Sequence, residues 1–179
     1  MILKTERLIL SPWQPEDWIA FRPIAQDPEV MRYITGGKPW TDDEIRNFID
    51  RQVALFAGRG FCRWKVTGQT GDEVMGFCGV GFWRGAIGEP EIGWWLARRF
   101  WGLGYASEGA RAAMEDVFRR TELPRLISVA MPGNRASIHI MEKLGMHFEA
   151  EFEGENTRLV RYALTRDEYL SRAQALEAR

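Results

Sequence analysis

Apolar residues fall along this chain in two rhythms. Leu8-Ile9-Leu10 is a short apolar run closed by Ser11-Pro12 and reads as a first strand. Pro15 then opens a helix. Glu16 and Asp17 suit its first turn, where the helix dipole favours negative charge, and Trp18, Ile19, Phe21 and Ile24 are its apolar positions. After the Gly36-Gly37-Lys38-Pro39 loop, Thr41 with Glu44 three residues on forms a capping-box pattern. The helix that follows carries Ile45, Phe48, Ile49, Val53 and Phe56 at helical spacing, with Gly58 as its predicted stop.

The rhythm then changes to strands over 61–66, 74–83 and 91–96, with a Gly71-Asp72 turn and with Gly76, Gly79 and Gly81 inside the second. Their close succession predicts antiparallel pairing. A long helix over 105–120 places Ala106, Ala110, Ala113, Met114, Val117 and Phe118 on its inner side. A strand over 126–130, a helix over 134–144 capped by Asn134 and stopped by Gly145, strands over 148–152 and 159–164, and a polar helix from Asp167 complete the chain. Strands come in clumps rather than in strict alternation with helices. This order predicts an α+β fold, a mixed sheet with helices on its faces. The length suits one domain over 1–179.

Composition narrows the classes. Hydrophobic residues at 45% and charged residues at 27% describe an ordinary globular mixture. A net charge of −1 carries no basic excess, and the arginines of 84–99 and 111–125 are interrupted by apolar and acidic residues. Nucleic acid is therefore not an expected partner. Cys62 and Cys78 sit in apolar segments without metal-binding spacing, so they read as buried free thiols, no metal is expected, and a reducing cytoplasm fits. The N-terminal residues lack a signal-peptide apolar core, and no apolar run reaches the roughly 20 residues of a membrane helix. No membrane partner is expected.

The informative stretch is 94–108, where a strand ends in Trp94-Trp95-Leu96 and a turn with Gly102 and Gly104 opens the long helix. Free backbone N–H groups and the positive dipole end make a helix N-terminus an anion site, and glycines let a phosphate approach the main chain. Arg98 and Arg99 add positive charge, so a pyrophosphate is the natural ligand. Glycines alone leave a ligand-free turn as the equal alternative. No Gly-Lys-Ser or Gly-Lys-Thr exists for a P-loop. Ser107 only partly meets the third glycine position of a dinucleotide fingerprint, and the next strand ends Ala130-Met131-Pro132 without an acid.

Arg99-x-x-Gly102-x-Gly104 resembles the acyl-CoA signature of the GCN5-related N-acetyltransferases. Three further stretches resemble the ribosomal-protein alanine N-acetyltransferase (RimJ/RimL)-like branch: Thr5-Glu6-Arg7-Leu8-Ile9-Leu10, Glu91-Ile92-Gly93-Trp94-Trp95-Leu96, and Asn134-Arg135-Ala136-Ser137 followed by Glu142-Lys143-Leu144-Gly145-Met146. They run in order from about residue 5 to 165. The resemblance implies an acetyl-CoA-dependent N-acetyltransferase in which the fourth and fifth strands splay, here between 91–97 and 126–130, with the pantetheine arm in the gap. It further implies that backbone groups at Trp95 and Leu96 bond the arm and polarise the thioester. Amides of Gly102, Leu103, Gly104 and Ala106 would hold the pyrophosphate with help from Arg99. Asn134 would bond the arm, and Ser137 would lie near the sulfur.

The chemistry sets further demands. An alkyl ammonium with a pKa of ~10.4 needs a base before it can attack, whereas a thiolate with a pKa of ~8.5 leaves without a strong acid. Glu91 is the first candidate base, because family bases often lie on its strand; Glu89 and Glu108 follow, each also readable as a solvated carboxylate. Many members carry a tyrosine acid where Met141 stands, and a methionine cannot donate that proton; Ser137 or water is left to stabilise the thiolate. Tyr105 and Tyr162 are further phenols, and His139 and His147 read as structural or surface residues. Ser11 stands where this branch often has arginine. The family's acceptor side takes in the 36–40 loop, and one of the adjacent Trp94 and Trp95 faces it. The expected acceptor is a primary amine, either a small molecule or a protein N-terminus, and the chain is expected as a monomer or homodimer. A CoA-binding module without turnover is the alternative.

Overall fold

The computed structural model describes residues 1–83, 88–154 and 157–177. Eight strands form one sheet: β1 (Leu3–Lys4), β2 (Leu8–Ser11), β3 (Arg63–Gly68), β4 (Val74–Phe82), β5 (Pro90–Leu96), β6 (Arg125–Ala130), β7 (His147–Glu153) and β8 (Arg158–Thr165). Their spatial order is β1-β2-β3-β4-β5-β6-β8-β7, and every pairing is antiparallel except that of β5 with β6. The helices are α1 (Trp18–Ala25), α2 (Pro28–Met31), α3 (Asp42–Arg59), α4 (Tyr105–Arg120), α5 (Arg135–Lys143) and α6 (Arg166–Glu177), with 3₁₀ turns at Pro15–Asp17 and Arg98–Phe100. This is the expected α+β arrangement.

Local chemistry explains the element ends. Thr41 Oγ1 accepts from the Glu44 amide at 3.2 Å, and the Glu44 carboxylate accepts from the Thr41 amide at 2.7 Å. This capping box starts α3, and such a cap contributes about 1 kcal/mol. The helix stops at Gly60 rather than Gly58. Gly60 takes the left-handed φ of 74° and donates its N–H to Phe56 O at 2.8 Å, while Gly58 remains helical. Ile19 is 62% exposed rather than inward-facing. Residues 15–17 form a 3₁₀ turn, so the helical phase begins at Trp18 and the buried stripe is Phe21, Ile24 and Ala25. The strand expected over 61–66 starts two residues later. Phe61 and Cys62 are apolar because they pack into the core, although the Cys62 carbonyl still accepts from the Val80 amide at 3.2 Å. Neither β1 nor α2 is long enough to leave a periodic signal in the sequence.

Two apolar layers flank the sheet. On one face Phe21, Ile24, Ile45, Phe48 and Ile49 of α1 and α3 pack on Phe77 of β4. On the other, Ala110, Ala113, Met114, Val117 and Phe118 of α4 cover β2, β4, β5 and β6, and Met141 of α5 joins them. Gly109 lets α4 settle on β4, since a Cβ there would stand 2.9 Å from Cys78 Sγ. Cys62 and Cys78 are free and buried, as expected. Burial pushes the Cys62 thiol up to about 12 and the Cys78 thiol higher still. Among the described residues no helix is long and apolar enough to cross a membrane.

Candidate functional site

The site begins where the sheet opens. β5 pairs with β4 over its full length, from Gly76↔Leu96 to Phe82↔Pro90, but β5 and β6 share a single pair, Glu91↔Ile127. Beyond it the two parallel strands part toward their C-terminal ends, between the two segments expected to splay. The buried Ser128 hydroxyl donates to Ile92 O at 2.9 Å. A carbonyl on the parting edge of β5 is thus satisfied by a side chain, and the separation begins without an orphaned buried acceptor. Sequence reasoning missed Ser128. Its signal was one hydroxyl in the apolar run Leu126-Ile127-Ser128-Val129-Ala130.

At the open end of β5 the chain makes the Arg98–Phe100 turn and enters α4 through Gly102 and Gly104, both left-handed with φ of 73° and 83°. A Cβ on Gly102 would meet open space, so glycine is needed there for conformation rather than clearance. Gly104 is the N-cap of α4 and offers no side-chain acceptor, which leaves the first helical N–H groups uncapped. Leu103 is 53% exposed. Trp101 Nε1 donates to Leu96 O at 2.8 Å. The two arginines after β5 have acidic partners: Arg98 pairs with Asp27 at 2.8 Å and Arg99 with Glu73. An open groove of about 750 Å³ lies there, lined by Pro23, Asp27, Glu73, Ala97, Arg98 and Arg99 among others.

Behind the glycine turn, Glu108 in the first turn of α4 is held from the N-terminal segment. It accepts from Thr5 Oγ1 at 2.5 Å, from the Arg7 amide at 2.9 Å and from Arg7 Nε at 2.6 Å. Burial pushes its carboxyl up, but the Thr5 hydroxyl, the Arg7 amide and the Arg7 guanidinium outweigh this and hold it below the ordinary value. Across the opening, after β6, Asn134 Oδ1 caps α5 by accepting from the Ser137 amide at 3.3 Å. The cap uses Oδ1, and the Asn134 amide nitrogen is a separate donor. Ser137 is half-buried on the first turn of α5.

The alternation along β5 sends Ile92, Trp94 and Leu96 toward α4, and Glu91, Gly93 and Trp95 toward α1 and α3. Trp95 joins an aromatic cluster, with ring centroids 4.7 Å from Trp40 and 5.1 Å from Phe77. Glu91 forms a buried ion pair with Arg63 of β3, a partner the sequence did not announce. Arg63 is pinned by its own backbone: its amide donates to Gln52 Oε1 at 3.0 Å, and its carbonyl accepts from Trp13 Nε1 at 2.5 Å. Gly81 clears the path of its guanidinium, for a Cβ there would stand 2.7 Å from Arg63 Nη1. Burial raises the Glu91 carboxyl above its ordinary value against the downward pull of Arg63.

The remaining candidates are placed elsewhere. Glu89 is not merely solvated: it pairs with Arg125 at 2.9 Å and Arg161 at 3.0 Å. Met141 is 1% exposed and belongs to the core. Tyr105 lies under the Arg7 guanidinium at 4.4 Å, and Tyr162 packs edge-on to Phe148. His139 and His147 are on the surface beside Glu142 and Glu168, in keeping with a surface role.

Residues 7–147 match the family profile of the acetyltransferase (GNAT) domain. The FsC-acetyl coenzyme A-N(2)-transacetylase of Aspergillus fumigatus is 30% identical, covering 94% of this chain and 77% of the relative. A crystal structure of an acetyltransferase (GNAT family) from Bacillus anthracis superposes with a TM-score of 0.78 at 28% identity, over 94% of this chain and 100% of that one. The ribosomal L7/L12 alpha-N-protein acetyltransferase RimL, solved in complex with coenzyme A, shares the fold with a TM-score of 0.78 at 19% identity, over 94% and 99% of the two chains.

Proposed function

This chain belongs to the GNAT acetyltransferase family and is an acyltransferase, and from that premise we propose that it moves the acetyl group of acetyl-CoA directly to a primary amine. The carrying observation is the single Glu91↔Ile127 pair between β5 and β6, with an uncapped helix N-terminus at the open end of the parting strands. Such an opening offers an extended arm two strand edges to lie between, and the uncapped N–H groups suit its diphosphate. Trp95 and Leu96 take the arm on one edge and Asn134 and Ser137 on the other. Gly102, Leu103, Gly104 and Ala106 hold the diphosphate. Arg99 adds charge after exchanging its pairing with Glu73. The names of the two relatives support a nitrogen acceptor, one on a molecule named FsC and one on a protein N-terminus, and either kind of amine fits this reading.

Acetyl-CoA supplies an activated acyl carbon. The chain's own groups must deprotonate the incoming ammonium and let the thiolate leave. Glu91 receives the amine proton, directly or through water, and the upward push of burial on its carboxyl makes it a stronger base than an exposed carboxylate. The free amine attacks the thioester carbonyl, the C–S bond breaks, and the second proton lost by the nitrogen passes to water or to the departing thiolate. The thiolate leaves beside Ser137, whose hydroxyl, or a water, stabilises it by donating a hydrogen bond. With Met141 in the core, no acid is assigned at that position.

Thermal unfolding with acetyl-CoA, CoA and NADH tests this. Ligand at about 100 times its Kd stabilises by about 2.7 kcal/mol, a Tm rise of roughly 5–10 °C for a chain of this size. Both CoA species are expected to give the rise and NADH not. Gly102→Asp, which strains a left-handed position and places a carboxylate at the anion site, is expected to abolish it. No rise with either CoA species rules the reading out. A rise without transfer to any member of an amine library leaves a CoA-binding module in its place.

A further inference from the structure

The segment Thr5-Glu6-Arg7 has no part in the reaction described above, yet it makes several polar contacts to the glycine turn and to the first turn of α4 behind it. Thr5 Oγ1 accepts from the Leu8 amide at 2.9 Å and donates to Glu108 at 2.5 Å, which fixes the start of β2 to the first turn of α4. Arg7 reaches one point of the turn and two of the first turn of α4. Nη1 donates to Leu103 O at 2.9 Å, the guanidinium covers the Tyr105 ring at 4.4 Å, and Nε donates to Glu108 at 2.6 Å.

Two consequences follow from elementary chemistry. A trans peptide points its C=O and its N–H in opposite directions. By holding the Leu103 carbonyl on one side, Arg7 turns the Gly104 N–H to the other, at a residue whose left-handed backbone would otherwise leave that peptide plane loosely determined. Second, Glu108 places a negative charge one turn into the helix whose N-terminus is to receive an anion. The two charges would oppose each other unless the carboxylate were balanced, and Arg7 balances it.

We propose that Arg7, with Thr5 and Glu108, is a positioning group that orients the Leu103–Gly104 peptide toward the diphosphate of the acyl donor, and so sets how strongly the protein prefers CoA over the same arm without a diphosphate. This rests on the reading of the glycine turn as the diphosphate site. The test compares Kd for CoA and for pantetheine, which lacks the phosphates and the nucleotide, in the wild type, in Arg7→Met and in Arg7→Lys, by calorimetry with pantetheine run as a competitor. Arg7→Met is expected to weaken CoA about tenfold while pantetheine is unchanged, the scale of one lost charge-assisted hydrogen bond. Arg7→Lys keeps the charge without the fork and is expected to lose about threefold of the preference, in between. It carries the test if Arg7→Met does not fold. A loss shared equally by both ligands, or none, overturns the positioning role. A wild type that binds no CoA overturns the diphosphate site itself, a separate result.

Discussion

Two arginine–glutamate pairs tie early strands to later elements, and they behave in opposite ways. Arg7–Glu108 spans 101 positions of sequence and Arg63–Glu91 spans 28. Glu108 is partly exposed and receives three separate donors, so its carboxyl is held down and it stays an anion. Glu91 is more deeply buried with Arg63 as its charged partner, and its carboxyl is pushed up. The pair as such decides neither outcome; the number of donors set against the depth of burial does. One carboxylate is committed to structure, and the other is the one proposed above as the base.

The contrast breaks most visibly at Arg63. Arg63→Met leaves Glu91 buried without its counter-charge and is expected to cost about 3–5 kcal/mol at pH 7. The cost shrinks at a lower, acidic pH, once the carboxyl takes up a proton and the uncompensated charge disappears. Denaturant titrations at the two pH values measure this, and a cost independent of pH would show that Arg63 acts through packing. Next in size is Glu91→Gln, expected to lower turnover about 100-fold while the Tm rise with CoA persists. Retained turnover would move the base elsewhere. The smallest effect is expected at Glu108→Gln, about 1 kcal/mol at pH 7 after allowance for partial exposure. Because this carboxyl is depressed, the wild-type advantage is full above the ordinary carboxylate value and is lost as pH falls through the lower folded value. Glu91 has the opposite sign: its contribution falls as pH rises from the ordinary value through the raised one. Stability profiles of the two variants against wild type therefore slope in opposite directions.

The end of the molecule proposed to hold the acyl donor was legible in the sequence because it is made from contiguous backbone. The turn with Gly102 and Gly104, the start of α4 at Tyr105 and the Asn134 cap each lie within a few residues of their own signal. The face proposed for the acceptor was legible only in part, because it is made by side chains from distant segments. The resemblance brought the 36–40 loop and the Trp94-Trp95 pair to one side, where Trp40 meets Trp95, but nothing near Glu91 announces Arg63, Gln52 or Trp13. The misread boundaries have the same origin. Phe61 is apolar for the core and not for a strand, and Gly58 and Gly60 are equivalent as letters until one of them adopts a positive φ.

The burial of Cys62 and Cys78 bears on how the enzyme can be watched at work. Each turnover of the proposed reaction frees one thiol, on CoA, into solution. A disulfide reagent that colours on meeting a thiolate would then read catalysis continuously, because the chain's own two thiols are enclosed by the sheet and by α4 and burial keeps them protonated at assay pH. The folded protein contributes a silent background, and slow colour in the absence of both amine and acetyl-CoA reports unfolding rather than transfer.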